Sequence, residues 1–411
     1  MAAAVDSVQS SPLVDFSEQR RQLARAIRRR LVSHIAAGGS TDLAPSPLEN
    51  QASVYADPAR AELEQRELFG KLPLVAGLSR DIPQPGDSLL FEDVGPPILI
   101  VRGADGVARG FLNRCAHRGS KLVYANAHDI CERRQRIVCP FHAWSYELDG
   151  SLVSVPGKAG FAGIDLNQRN LEPVPVVEWH GLLFTRASPG QQSLDIPEYL
   201  GSFAAELARL ELAAAAPARS SKLTANTNWK LALDTYCEGY HFGTLHSSTI
   251  GVTHYSNVAA FDAFGRHWRI HFAERKLAAL CERPESEWPE AEFGGVYFLF
   301  PNTLLVVGWP GETTGFARIF RLFPGPTPGR MCCRIAVYVL GGDPSEQAAA
   351  QAQFTRDDAD SEVTIEDYRV AVDAYSNLVA APAGFKLVFG SNEIALQAVH
   401  RSIADALGVA L

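Results

Sequence analysis

Two groups of residues in this chain combine side-chain types and spacings that can do chemistry. The first is Cys115-Ala-His117 with Cys139-Pro-Phe-His142. Each pair sets a thiolate and an imidazole on one tight loop, so all four side chains can reach one centre. Two cysteines and two histidines suit a tetrahedral zinc, or a [2Fe–2S] cluster with thiolates on one iron and imidazoles on the other. Structural zinc usually takes its cysteines as one close pair and its histidines as another. Here each loop mixes them inside a long β-patterned region, which favours the cluster. Trp144 and Tyr146 read as shielding residues, and Cys131, in the spacer, as incidental.

The second group lies within 228–246 and comprises Asp234, Glu238, His241 and His246. On a helix, 234, 238 and 241 share one face. His246, five residues beyond His241, would be turned away by roughly 140°. For both imidazoles to meet one metal the helix must loosen or end between them, and Gly243 is the easiest place. Two histidines and a carboxylate with open positions are the standard site for a non-haem Fe(II) that binds O₂. Glu238 or a distant residue must supply that carboxylate. Apolar neighbours such as Leu231, Leu233 and Phe242 argue against a solvated helix surface.

Both motifs resemble those of the Rieske non-haem iron oxygenases of the ring-hydroxylating type. The likeness rests on Cys-Ala-His-Arg-Gly119, on Cys139-Pro-Phe-His-Ala-Trp-Ser-Tyr146, and on Asn228-Trp-Lys with Glu238-x-x-His241-x₄-His246. It covers roughly residues 60–405, including Phe389-Gly-Ser-Asn-Glu393 and His400. Ala143 stands where the family usually has glycine, Glu238 where Asp is commoner, and the spacer 118–138 is longer than usual.

The resemblance implies an α+β protein. Its expected domains are an N-terminal extension with helices (1–65), a small all-β Rieske domain (66–190), and a larger α+β catalytic domain with an antiparallel sheet and flanking helices (191–411). It implies a [2Fe–2S] cluster on Cys115, His117, Cys139 and His142, and a mononuclear Fe(II) on His241 and His246. The third iron ligand falls in the acidic stretch 357–373, where Asp367 matches best and Asp360 and Asp358 follow. Glu238 becomes the bridge between His142 of one subunit and His241 of the next, and Asp234 a partner to an iron histidine. Electrons come from a ferredoxin or flavin reductase, and the assembly is a homotrimer or a multiple of three.

The implied activity is O₂-dependent oxidation of a small organic molecule. Tyr297, Phe298, Leu304, Val306 and Trp309 stand in the strand-rich part as possible pocket walls, most of them core by default. They fit an aromatic or alicyclic substrate, with a quaternary ammonium compound in an aromatic cage as the nearest rival. An electron carrier without oxygenase chemistry and a zinc-stapled binding protein are the alternatives of other classes.

Composition agrees. The 411 residues are 46% hydrophobic with a formal charge of −8, which suits a multidomain globular chain and offers no phosphate-neutralising surface for nucleic acid. Of seven cysteines, two sit in a metal-like spacing and the rest are scattered, which suits a reducing compartment, and the cytoplasm is the expected location. The longest apolar run, 296–307, is broken by Pro301-Asn302 and reads as two strands and a turn, so no membrane span and no secretory leader are expected. Residues 1–14 read as mobile. Helices are expected over 16–36, 58–69, 196–212, 229–246 and beyond 344, with strands between 72 and 186 and again between 267 and 340. The arginines of 20–30 read as the solvated side of a helix packed on the body, or less readily as a docking face for an acidic partner.

Overall fold

The computed structural model describes residues 16–124, 130–190, 192–309, 313–356 and 359–411, with backbone alone at 130, 352–356 and 359–363. The expectation for residues 1–14 therefore lies outside the described residues.

Short alternating runs between turn residues fold, as expected, into a β region. A five-stranded antiparallel sheet runs in the order Pro173–Val174, Ala108–Leu112, Ile98–Arg102, Ser88–Phe91, Ile130–Cys131. Ile98–Arg102 lies inside this sheet and is buried at every position, which explains the apolar run of its first four residues. Beside it, Ile137–Val138, Ser145–Tyr146 and Leu152–Ser154 form a small sheet whose first turn holds Cys139 and His142. A third sheet pairs Val176–Trp179, Leu182–Thr185 and Leu74–Leu78. Leu99, Val101, Phe111, Trp144 and Tyr146 pack around Cys115 and Cys139 in one core.

The larger part is built on a seven-stranded antiparallel sheet. Its order is Ala216–Ala225, Met331–Gly341, Thr314–Pro324, Thr303–Trp309, Phe293–Leu299, His267–Glu274, His254–Phe264. Side chains alternate across it with a period of two. Phe298, Leu304 and Phe320 enter one core with Trp229, Leu233 and Val399, while Tyr297, Leu305 and Ile319 enter another with Leu200, Phe203 and Leu207. The edge strand Ala216–Ala225 occupies what reads in the sequence as a connector over 213–221; its pairing with Met331–Gly341 supplies the order that local propensity does not.

Two helical expectations need correction, and a third, over 58–69, holds with a change of pitch. The run 196–212 splits into Ile196–Leu200 and Phe203–Ala208 at Gly201, whose φ of +53° a helix cannot accept. Past Glu64, the run 58–69 widens into a single turn over Gln65–Phe69. Most consequential, the motif helix covers only Trp229–Asp234, and the stretch from Thr235 to Thr249 is turns and irregular chain.

The N-terminal helix Ser17–Ala36 buries Ala24, Ile27, Leu31 and Val32 against the large sheet. Its arginines are met by the chain's own acids. Arg25 bonds Glu290 at 2.9 Å, Arg29 bonds Glu285 at 2.5 Å, Arg30 bonds Asp262 at 2.7 Å, and Arg28 donates to the Glu290 carbonyl at 2.6 Å. These intramolecular contacts favour the reading of a helix packed on the body. Leu48–Gln51 pairs antiparallel with Lys386–Phe389, so the N-terminal extension is sewn into the larger part. Among the described residues no helix is long and apolar enough to cross a membrane.

Candidate metal centres

The two cysteine–histidine loops face each other at one end of the β region. Each loop closes on itself, with Gly119 N donating to Cys115 O at 3.0 Å and Ala143 N to Cys139 O at 3.0 Å. Both turns need a positive φ, met by Gly119 at +75° and by Ala143 at +56°. The family's glycine preference at 143 is thus a backbone requirement, which this chain satisfies with a strained alanine.

Cys115 and Cys139 are buried, His117 is half-buried and His142 is exposed. The imidazole rings lie 4.8 Å apart, and His117 stacks on Trp144 at 4.8 Å. Tyr146 Oη meets Cys115 Sγ at 3.3 Å and accepts from Ala116 N at 3.1 Å. Burial, with Cys139 alongside, raises the Cys115 thiol above its ordinary value. Burial and the neighbouring His142 and Arg118 charges depress His117. Two buried thiols facing inward and two imidazoles facing outward form a donor set that fits a [2Fe–2S] cluster.

The second group meets at the face of the large sheet that bears Phe320. Because the helix stops at Asp234, turns carry the chain through Glu238, His241 and His246. His241 O accepts from both Thr244 N and Leu245 N, and His246 O accepts from Thr249 N and Gly251 N. A Cβ at Gly251 would lie 2.4 Å from Phe242 O, so glycine allows this fold-back. At Gly243, where loosening is expected, the need is space instead: a Cβ would sit 2.6 Å from Ser256 Oγ.

Across from these turns the helix Ala359–Val379 presents Glu366 and Asp367. One ligand atom from each of His241, His246 and Asp367 lies within 4.8 Å of the others. His246 Nε2 is 3.0 Å from Asp367 Oδ1, and His241 Nε2 is 3.6 Å from the same oxygen. His241 Nε2 is buried and makes no hydrogen bond. Such an orphaned donor atom, aimed with a second imidazole at one carboxylate, fits a bound divalent iron. Both histidines are held from behind: His241 Nδ1 meets Glu238 Oε1 at 2.5 Å, and His246 Nδ1 meets Glu366 Oε2 at 2.7 Å. Each carboxylate fixes the tautomer that turns Nε2 toward the metal position. Burial alone would lower His246, but its bonds to Asp367 and Glu366 outweigh that and raise it. Burial raises Asp367, while the His246 bond lowers Glu366.

The structure thus brings Glu238, His241, His246 and Asp367 together, with Glu238 behind a histidine and not among the converging atoms. Asp234 goes elsewhere. Its carboxylate accepts from Tyr55 Oη at 2.6 Å and meets His400 Nε2 at 2.9 Å, so among the described residues it is no partner to His241 or His246. The early end of the helix is the cause, since it breaks the register that would align 234 with 238 and 241. Asp358 lies outside the described residues, as does the side chain of Asp360. The orienting residue Glu366 escapes the sequence reading, although its adjacency to Asp367 was the available signal. A cavity of about 170 Å³ abuts the triad, lined by Tyr236, Phe242, Phe272, Val306, Arg318 and Phe320 among others. Of the expected pocket walls, Val306 alone lines this cavity; Tyr297, Phe298 and Leu304 are fully buried core.

Fold and ligand sets together define a class: a β domain built for an iron–sulfur cluster joined to an α+β domain with an open two-histidine, one-carboxylate site. Residues 73–172 match the Rieske [2Fe-2S] domain, and residues 212–408 match the ring hydroxylating alpha subunit (catalytic domain). The glycine betaine monooxygenase oxygenase subunit of Pseudomonas aeruginosa is 30% identical over 192 residues, 47% of this chain and 43% of that protein. The chain therefore aligns with less than half the length of that relative. Biphenyl dioxygenase subunit alpha of Paraburkholderia xenovorans is 30% identical over 273 residues, 63% of this chain and 56% of that one. Among solved structures, the quaternary ammonium Rieske monooxygenase CntA with an inhibitor superposes with a TM-score of 0.73 at 20% identity, covering 89% of this chain and 96% of the other, a likeness of fold. The chain thus carries a Rieske [2Fe–2S] domain and a ring-hydroxylating alpha-subunit catalytic domain, and their residues fit a Rieske [2Fe–2S] cluster and a mononuclear iron.

Proposed function

We propose that this chain is the oxygenase subunit of a reductive, O₂-dependent enzyme that hydroxylates or oxidatively demethylates a small organic molecule. The carrying observation is the convergence of His241, His246 and Asp367 on one point, beside an aromatic-lined cavity, in a chain that also has the paired Cys-x-His and Cys-x-x-His loops. In this reading Cys115, His117, Cys139 and His142 hold the cluster, and the triad holds Fe(II). Bound there, the cluster supplies single electrons and the iron supplies O₂ binding and activation.

The chain's own residues do the positioning. Glu238 and Glu366 orient the two imidazoles, and the rings of Phe242, Phe272 and Phe320 keep the substrate in an apolar space. Exposed His142 and Tyr240 support electron entry from His142 of the partner subunit through Glu238, hence a homotrimer or a multiple of three. A ferredoxin or flavin reductase is the proposed donor, the cytoplasm the proposed location, and 1–65, 66–190 and 191–411 the proposed domains.

An aromatic or alicyclic molecule is the main substrate reading. A quaternary ammonium compound is the second, favoured by the rings of Tyr236, Phe242, Phe272 and Phe320 around the cavity and by the glycine betaine relative. Anaerobic purification followed by metal and sulfide analysis tests the proposal. About three irons and two acid-labile sulfides per chain are expected. Zinc without sulfide refutes it, and two irons with no third after Fe(II) reconstitution reduces the chain to an electron carrier.

A further inference from the structure

We infer that the N-terminal helix Ser17–Ala36 is a wall of a second substrate chamber, which receives the distal part of an elongated, mainly apolar molecule whose reacting end lies beside the iron triad. This rests on the proposed oxygenase reading and specifies its substrate class. The helix lies outside both family-matched segments, whereas the rest of the chamber's lining lies within 212–408.

The cavity at the triad holds about 170 Å³, close to the roughly 150 Å³ that admits a single benzene ring. A larger cavity of about 450 Å³ adjoins it and shares Ile250, Phe272, Val296, Val306 and Arg318 as common wall. Strand register explains the arrangement. On one sheet face Phe298, Leu304 and Phe320 form a cross-strand row, Val296, Val306 and Arg318 form the next, and Gly294, Gly308 and Phe316 the one after. The first row supplies Phe320 to the inner cavity, the middle row is the waist, and the third is the outer floor.

Two facing glycines thin that floor and make room for the Phe316 ring, which lies over Gly308. A Cβ at Gly308 would lie 2.7 Å from the Phe316 ring, and one at Gly294 would lie 3.0 Å from Val307 O. Opposite this floor, the helix contributes Ala24, Ile27, Arg28 and Leu31. Apart from Arg318 at the waist, charge is gathered at the rim, where Lys276 bridges Glu274 and Glu292 at 2.9 and 3.0 Å. An elongated substrate would bridge the two cavities between Val296, Val306 and Arg318, and Arg25 and Arg28 bind the helix over the outer one through residue 290.

The test uses the metal-loaded protein and a series of ω-phenyl alcohols from benzyl alcohol to 6-phenylhexanol, with affinity read by equilibrium dialysis. Wild type should gain about fourfold in affinity per added methylene once the tail passes the waist. Ile27→Trp fills the chamber from the helix side, and Ala24→Phe does so one turn earlier. Both should abolish the gain while leaving benzyl alcohol affinity unchanged and the melting temperature within a few degrees of wild type. A flat wild-type series, or an equal gain in both variants, overturns the chamber. Iron and sulfide measured on the same samples keep the two readings separate. Their absence sinks the oxygenase whatever the alcohols do, whereas a loaded protein with a flat series sinks the chamber alone.

Discussion

Replacing Glu366 with alanine should weaken Fe(II) binding by roughly 10- to 100-fold without touching the cluster. Glu366 Oε2 accepts from His246 Nδ1 at 2.7 Å and from Thr249 Oγ1 at 3.2 Å, and its side chain is 27% exposed. A hydrogen bond to a charged group contributes about 1.5–3 kcal/mol. Because 1.4 kcal/mol is a factor of ten, that range corresponds to roughly the 10- to 100-fold typical of partners behind metal-bound histidines. Partial exposure and the continuing hold of Asp367 on Nε2 place the expected loss toward the lower end. Glu366→Gln keeps an acceptor but loses the charge, so a few-fold loss is expected. The assay is chelator competition for Fe(II) under anaerobic conditions, with acid-labile sulfide and visible absorption as internal controls. Wild-type affinity in Glu366→Ala would show that packing alone orients His246. An equal loss of cluster would show that the substitution acts through the fold.

Three further outcomes follow from the geometry. Ala143→Gly should slow thermal bleaching of the cluster, because relief of about 1–2 kcal/mol of left-handed strain outweighs the added freedom of the unfolded chain, about 0.4–1 kcal/mol. Asp234→Ala should cost about 2–4 kcal/mol of stability, seen as a lower melting temperature, and leave iron affinity within twofold, since it removes the anchor of Tyr55 and buried His400 and no contact to the triad. His267, buried between its bond to Tyr199 O at 3.1 Å and the one it accepts from Phe300 N at 3.1 Å, is pushed down to about 4 by burial. The unfolded chain then binds a proton that the native state refuses, so stability should fall as pH drops from about 6.5 to about 4, by of order 3 kcal/mol. A melting temperature in His267→Gln as steep with pH as wild type would refute that assignment.

The sequence carried the ligands but not the geometry that aims them, and the reason differs from place to place. Cys115, His117, Cys139 and His142 are legible because their loops are local: two short spacings and a turn bring each pair together, and even the demand for a left-handed residue at 143 shows as a departure. The strands at Ser88–Phe91 and Ile98–Arg102 are legible for the same reason, since turn residues bound them. The motif helix was overextended because Trp229, Leu233 and their neighbours are truly helical and apolar. What stops the helix is tertiary: Asp234 is drawn to Tyr55 and His400, residues 179 positions before it and 166 after.

The same distance hid Glu366, whose partner lies 120 residues earlier. Yet the doublet Glu366-Asp367 has a simple logic. The two carboxylates lie on either side of one imidazole, with Asp367 at Nε2 and Glu366 at Nδ1, so one short stretch of helix supplies both a converging carboxylate and the group that aims His246 at the same point. Glu238 does the second of these jobs for His241, three residues away along its own turn. Metal affinity and imidazole orientation are therefore coupled through the position of the helix Ala359–Val379. A shift of that helix would withdraw Asp367 and release His246 together while leaving His241 held, so local disorder there should empty the mononuclear site before it disturbs the cluster.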